Sequence, residues 1–222
     1  MEFLYKSKNA VCVIKPVGVP AQSDPTGDKD IMAMTAEQLS ALGEPSDLWL
    51  VHRLDRVVGG VTVFAREKST AAELSLLMAN DGTANKEYLA VIEGEITDGV
   101  MEDYLYHDKL KGKAFITDRE RRGVKYCRLE AETLSVREGK SLVRVRLYTG
   151  RFHQIRAQLS IRGCAIIGDK KYGSRDRTAH FPALFAYKLN LKMKNEEISV
   201  KALPDIKKYP WSIFADVMEY GI

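Results

Sequence analysis

The chain has 222 residues, with 34 Lys and Arg against 30 Asp and Glu, a formal net charge of +4. At 45% hydrophobic and 29% charged it has an ordinary globular composition, and its length suits one domain or one domain with two lobes. No apolar run nears the roughly 18 residues a membrane helix needs. The start, MEFLYKSKNAVCVIKP, lacks the apolar core and cleavage site of a secretory leader, and three widely spaced cysteines (Cys12, Cys127, Cys164) fit reduced cytoplasmic thiols better than disulfides or a zinc site.

In chain order, Ala-Val-Cys-Val-Ile at 10–14 predicts a buried strand ending at Lys15-Pro16. Only about nine residues stand before it, so no separate N-terminal domain is expected and residues 1–222 read as one domain. Residues 16–30 hold three prolines and two glycines and read as a long loop, a length that hints at function. A helix fits about 30–42, with Ile31, Met34, Leu39 and Leu42 on its apolar side. The stretch Trp49 to Arg66 then brings an apolar approach, His52-Arg53-Leu54-Asp55, a turn at Gly59-Gly60, and a strand over 61–65. Residues 67–80 predict an amphipathic helix with Ala71, Leu74, Leu77 and Met78 inward.

A strand follows at 86–93, with Tyr88 in its first half. Residues 107–128 carry eight Lys and Arg against three acids, with Gly112 and Gly123, and read as a basic hairpin or mobile loop. Strands are expected at about 124–135 and 141–148, then a helix over about 152–162 with Ile155 and Leu159 facing the core. On that helix His153 and Arg156, three apart, share a neighbouring face. A polar loop at 173–182, a closing hairpin over 186–193 and 197–202, and a short helix over 211–219 complete the chain.

Charge is unevenly spread. Residues 1–105 hold 9 Lys and Arg against 17 Asp and Glu, net −8, while residues 106–222 hold 25 against 13, net +12. A phosphate-facing surface on the second half fits that split, as does a plain solvated basic face.

The candidate chemistry centres on Asp55, a carboxylate on a short loop between Arg53 and Arg56. By itself it reads as a structural ion-pair partner at least as readily as a nucleophile kept ionised by its arginines. Four motifs in order sharpen this. They are Lys15-Pro16-Val17-Gly18, His52-Arg53-Leu54-Asp55, Lys86-Glu87-Tyr88-Leu89-Ala90, and Thr149-Gly150-Arg151-Phe152-His153-Gln154-Ile155-Arg156 continuing to Gly163 and Ile166-Ile167-Gly168-Asp169. Together they resemble the RluA-type pseudouridine synthases. The chain departs from that pattern at Val58-Gly59-Gly60, where the family has Thr-Ser-Gly, and at Gln158, where it has His. Both departures are expected to bear on substrate preference rather than on the reaction.

The resemblance implies an α+β pseudouridine synthase fold, a largely antiparallel mixed sheet flanked by helices with a central active-site cleft. It implies isomerisation of uridine to pseudouridine in structured rRNA or tRNA, with no cofactor and no metal, by a monomer with no membrane association. Asp55 would be catalytic, Tyr88 would stack on the uracil, Arg156 would pair with the catalytic carboxylate, and Ile167 would line the base. His52, Arg53, Arg151, His153, Gln154, Lys111, Lys113, Arg121 and Arg122 are the candidate RNA contacts. Attack at the anomeric carbon, attack on the uracil ring, and abstraction of a ribose proton are all compatible with one ionised aspartate. The rival functions are an inactive RNA-binding relative and a nucleoside or glycoside hydrolase, though a hydrolase commonly uses two carboxylates.

Overall fold

The structure is a computed structural model describing residues 2–79 and 83–222. The elements run β1 (Phe3–Lys6), β2 (Ala10–Lys15), α1 (Ile31–Ala41), β3 (Trp49–Leu50), β4 (Gly59–Ala65), α2 (Lys68–Ala79), β5 (Asn85–Glu93) and β6 (Gly99–Asp108). They continue as β7 (Lys113–Thr117), β8 (Val124–Arg137), β9 (Lys140–Leu147), α3 (Gln154–Ile161), a 3-10 turn (Lys170–Tyr172), β10 (Leu184–Lys192), β11 (Glu197–Lys201) and α4 (Ala215–Tyr220), preceded by a 3-10 turn at Trp211–Phe214. They form two compact units, residues 1–86 with 186–202, and residues 87–185 with 203–222.

In the first unit β1 and β4 flank β2 antiparallel, β10 lies beside β4, and β11 pairs antiparallel with β10. The two-residue alternation of a strand explains how both helices are held. Ala10 and Cys12 of β2 turn to one face, where Val61, Val63 and α2's Leu74 join them. Val11 and Val13 turn to the other, against Phe64 and α1's Ile31. All seven residues of β4 are buried, as a strand covered on both faces must be. Helix α1 starts at Asp30, whose carboxylate accepts from Ala33 N–H at 2.8 Å.

The second unit is a meander in the order β5-β9-β8-β6-β7, antiparallel throughout. Helix α3 covers one end, its Ala157 packed with Leu105, Ala114, Cys127 and Tyr172. At the C-terminus Arg137 of β8 grips Asp216 of α4 with two bonds of 2.7 and 2.9 Å. Among the described residues no helix is long and apolar enough to cross a membrane. All three cysteines are buried free thiols.

The structure corrects three expectations. A strand, β1, precedes the one read as first, and β6 adds a strand that the sequence pattern did not announce. Leu42, expected inward on α1, is an exposed C-cap, and Thr35 takes the buried position by donating its hydroxyl to Ile31 O at 2.7 Å. The Gly59-Gly60 turn is instead the start of β4, with Gly60 opposite Lys15. The chain turns earlier, where Val58 N–H donates to Asp55 O at 2.9 Å.

Gly60 is needed there for two reasons. Its φ is +123°, and a Cβ would stand 2.5 Å from Ala186 N and closer still to its carbonyl. The neighbour is backbone and cannot swing aside. Gly60→Ala should therefore cost more than about 3 kcal/mol. A urea midpoint within error of wild type would show that β10 yields at that point.

Candidate active site

In the first unit the loop 51–58 is held from below by Lys15. This lysine is fully buried, and its Nζ donates to Pro16 O at 3.0 Å, Val19 O at 2.7 Å and Arg56 O at 3.1 Å. Three ammonium hydrogens thus meet three carbonyls, one of them next to Asp55. Burial pushes the Lys15 ammonium down to about 8, with the Asp55 carboxylate resisting the fall and Arg56 adding to it. Lys15 therefore remains charged at neutral pH and places a fixed cation within reach of the Asp55 field.

Arg56 works the same loop from the other side. Its Nε donates to Gly18 O at 2.9 Å, and Gly18 N–H returns a bond to Arg56 O at 2.8 Å. Its guanidinium also meets Asp24, Thr26 and Asp28. The long 16–30 loop is thereby closed onto the Asp55 turn. Asp55 itself is half-buried, Leu54 before it is buried, and Arg53 is exposed. His52 accepts from Val63 N–H through Nε2 at 3.2 Å, so this nitrogen of a candidate RNA contact is committed to β4.

In the second unit the residues of the TGRFHQIR segment separate into distinct roles. His153 sits at the N-cap in the left-handed region (φ 53°, ψ 25°), so α3 begins one residue later and His153 lies outside the helix rather than on its face. Gln154, expected to touch RNA, is buried. Its Oε1 accepts from Thr149 Oγ and Arg151 N–H, and its Nε2 donates to Arg128 O and Gln158 Oε1. With both ends of the amide engaged inside the protein, Gln154 holds the turn closed. Gln158 passes the chain on, its Nε2 donating to Asp103 Oδ2 at 2.7 Å and to Met101 O at 3.2 Å. That departure from the family pattern is a buried link between α3 and β6.

Arg156 is buried, and its Nε and Nη2 donate to the two oxygens of Asp169 at 2.6 and 2.9 Å. Sequence reasoning paired Arg156 with Asp55 and left Asp169 without a role, although the Ile-Gly-Asp that contains it belongs to the motif. Ile167 is buried, bonded through its backbone to Val91 O and from Ala183 N–H, both at 2.8 Å. Tyr88 lies half-buried on β5 opposite Val145. Arg151 lies half-buried, with Nε on Tyr126 O at 3.0 Å.

The basic 107–128 segment is a true hairpin, β7 folding back on β6, followed by β8. Lys111 extends into solvent with its side chain 71% exposed, Arg121 and Arg122 are exposed, and the Lys113 ammonium stands 4.9 Å from the Tyr172 ring centre. Three rings stack near the tip of the hairpin: His107 on Phe152 at 3.9 Å, and Phe152 on His153 at 3.8 Å. Lys171 donates to Gly112 O at 3.0 Å and anchors the tip. His107, Phe152 and Tyr172 were missed, since nothing in an aromatic's spacing tells a ring column from ordinary core.

With this geometry in place, comparison with known proteins is informative. A family model described as RNA pseudouridylate synthase matches residues 9–161, more than half of the chain. The ribosomal large subunit pseudouridine synthase D of Zymomonas mobilis is 29% identical over 193 residues, covering 83% of this chain and 59% of that protein. An uncharacterized RNA pseudouridine synthase of Haemophilus influenzae is 26% identical over 233 residues, covering 99% and 96%. The chain thus spans under two thirds of the first relative and nearly all of the second. Among solved structures, human RNA Pseudouridylate Synthase Domain Containing 4 aligns with a TM-score of 0.75 at 24% identity, covering 97% of this chain and 91% of its own. Domain Containing 1 gives 0.74 at 20%, covering 94% and 85%. At these identities the likeness is one of fold, and the fold is the α+β pseudouridine synthase fold.

The two inner histidines set a pH dependence. Burial, aided by Lys86, pushes His52 down to about 4, and burial, aided by Arg156 and Lys171, pushes His153 down to about 3. Below the unfolded value of about 6.5 the unfolded chain holds more protons than the folded one, so stability falls as pH drops, by up to about 1.4 kcal/mol per pH unit for each group. Above that value neither contributes any slope. Urea midpoints should fall between pH 7 and pH 5, and His52→Gln should flatten the fall. An undiminished slope in that variant would clear His52 of any part in it.

Proposed function

Because the chain belongs to the RNA pseudouridylate synthase family, we propose that it isomerises uridine to pseudouridine within a structured RNA, rRNA or tRNA, with Asp55 as the catalytic residue. One observation carries the reading: the turn bearing Asp55 is pinned by a buried lysine and by Arg56, so a carboxylate is held in place beside a fixed positive charge. Such a carboxylate is held in one place before substrate arrives, as a nucleophile or base must be. Residues 1–222 act as one catalytic domain and as a monomer in the cytoplasm.

Tyr88 packs on the uracil and Ile167 lines it, while Arg156 serves the reacting carboxylate and keeps its orientation through Asp169. The target leaves its stack to be reached, at a cost of a few kcal/mol. Arg53, exposed beside Asp55, fills the vacated space or meets the next phosphate. Backbone phosphates lie along the β6–β7 hairpin, where Lys111, Lys113, Arg121 and Arg122 give charge without base specificity.

Asp55→Asn keeps the shape and removes the charge. Pseudouridine in target RNA, mapped after incubation with that variant, should fall to background while RNA still binds. Substantial product would take the catalytic role from Asp55, and free uracil released by wild type would turn the reading to a hydrolase. Affinity should also fall steeply with salt, by roughly 0.7–0.9 in log affinity per log salt for each phosphate neutralised. Reversing the charge of Lys111, Lys113, Arg121 and Arg122 should make that dependence shallower, and an unaltered slope would place the hairpin away from RNA.

A further inference from the structure

Tyr172 is almost wholly buried in the second unit, yet its hydroxyl joins two elements. Ala114 N–H of β7 donates to Tyr172 Oη at 2.7 Å, and Tyr172 Oη lies 3.0 Å from His153 Nδ1. A phenol oxygen that already accepts one bond is a much better donor than second acceptor, so its O–H points at Nδ1 and donates to it. The lone pair of His153 is then at Nδ1 and its own proton at Nε2. The ring cannot turn to exchange them, since Phe152 stacks on one face at 3.8 Å and Tyr172 meets it edge-on at 5.5 Å. The backbone holds the ring from behind in a left-handed conformation that a non-glycine residue adopts at some cost.

We propose that Tyr172 is a positioning residue that fixes His153 as the Nε2–H tautomer, so that His153 meets an RNA phosphodiester oxygen as an uncharged donor. The phosphodiester part rests on the pseudouridine synthase reading. The tautomer does not. Charge around the ring agrees with it. Arg156 of α3, Lys171 of the 3-10 turn and His107 of β6 all oppose a second proton on the ring, and Asp169, the acid facing it, is engaged by Arg156. Lys113 of β7 stands over Tyr172 and adds to the same field. A phosphate suits this cationic setting, while the histidine supplies direction without charge.

The test uses the full chain with 15N-labelled histidine. Imidazole shifts of the RNA-free protein should show His153 protonated at Nε2 alone from pH 8 to pH 5. In Tyr172→Phe, which keeps the ring and loses the hydroxyl, the donor to Nδ1 is gone and the Nδ1–H tautomer should appear beside Nε2–H. His153→Ala should raise the KM for RNA about three- to tenfold with little change in kcat, the scale of one hydrogen bond. Its salt slope should stay unchanged, because an uncharged donor releases no counterion. Adding Tyr172→Phe to His153→Ala should cost nothing more, as expected of a residue acting through the other.

A proton on Nδ1, or titration of wild-type His153 near its ordinary value, would overturn the proposal even if Tyr172→Phe fails to fold. Additive losses in the double variant would overturn it too, and so would a shallower salt slope in His153→Ala. Wild-type protein with the Nε2–H tautomer but no pseudouridine in any RNA would instead defeat the functional reading alone.

Discussion

The second unit is organised by the buried fork between Arg156 and Asp169. Both side chains are removed from water, and removing either partner from such a pair leaves an uncompensated buried charge, a loss of about 3–5 kcal/mol. The pair is tolerable because it is bidentate and because the chain around Asp169 is itself bonded tightly. Asp169 N–H donates to Ile166 O, and Tyr172 and Ser174 N–H both donate to Asp169 O. One carboxylate therefore ties α3 to the 166–174 turn, and that turn sets Tyr172 with its ring 5.0 Å from the Arg156 guanidinium. Gly168 just before it has no alternative, since its φ is +80° and a Cβ would run into Phe181 O. Everything proposed for His153 follows from this fork being closed.

The first unit solves a similar problem with the opposite device. Lys15 has no carboxylate in its hydrogen-bond shell but three backbone carbonyls. Neutral acceptors leave the positive charge uncancelled, so its field extends to Asp55. An ion pair at the same place would satisfy Lys15 and lose that effect. The fork in the second unit meets a guanidinium with a carboxylate in two directed bonds, so a guanidinium and an ammonium from the same set of motifs are held in place by different means.

These contrasts explain what was legible in the sequence. Strands β2, β4 and β5 and helices α1 and α2 were readable because alternation and helical spacing report burial, and burial is what a half-covered element needs. Strand β1 was missed because Phe3, Leu4 and Tyr5 are only half-buried, at an edge where no strong pattern is required. The start of β4 was misread because glycine marks a turn and a close backbone approach alike, and only the position of Ala186 tells which applies. Helix α3 was placed correctly in outline, but Gln154, expected to touch RNA, is buried with both ends of its amide engaged inside the protein. Which acceptor a buried polar group takes is a fact of three dimensions, with no trace in spacing.

The same point changes what the signature motifs mean. Of the residues that carry the resemblance, Lys15, Gln154, Arg156 and Asp169 are each buried and hydrogen-bonded within the protein. Asp55, Arg53, Tyr88, Arg151 and His153, by contrast, keep some exposure. A motif that looks like a list of reactive groups is therefore in large part a list of supports, chosen because buried polar groups admit few replacements: each needs a partner of fitting geometry or it destabilises the fold. An exchange such as Gln for His at position 158 is tolerated, since Gln158 keeps a donor for Asp103 and an acceptor for Gln154. Chemistry needs a few exposed atoms, and most of the recognisable sequence exists to hold them still.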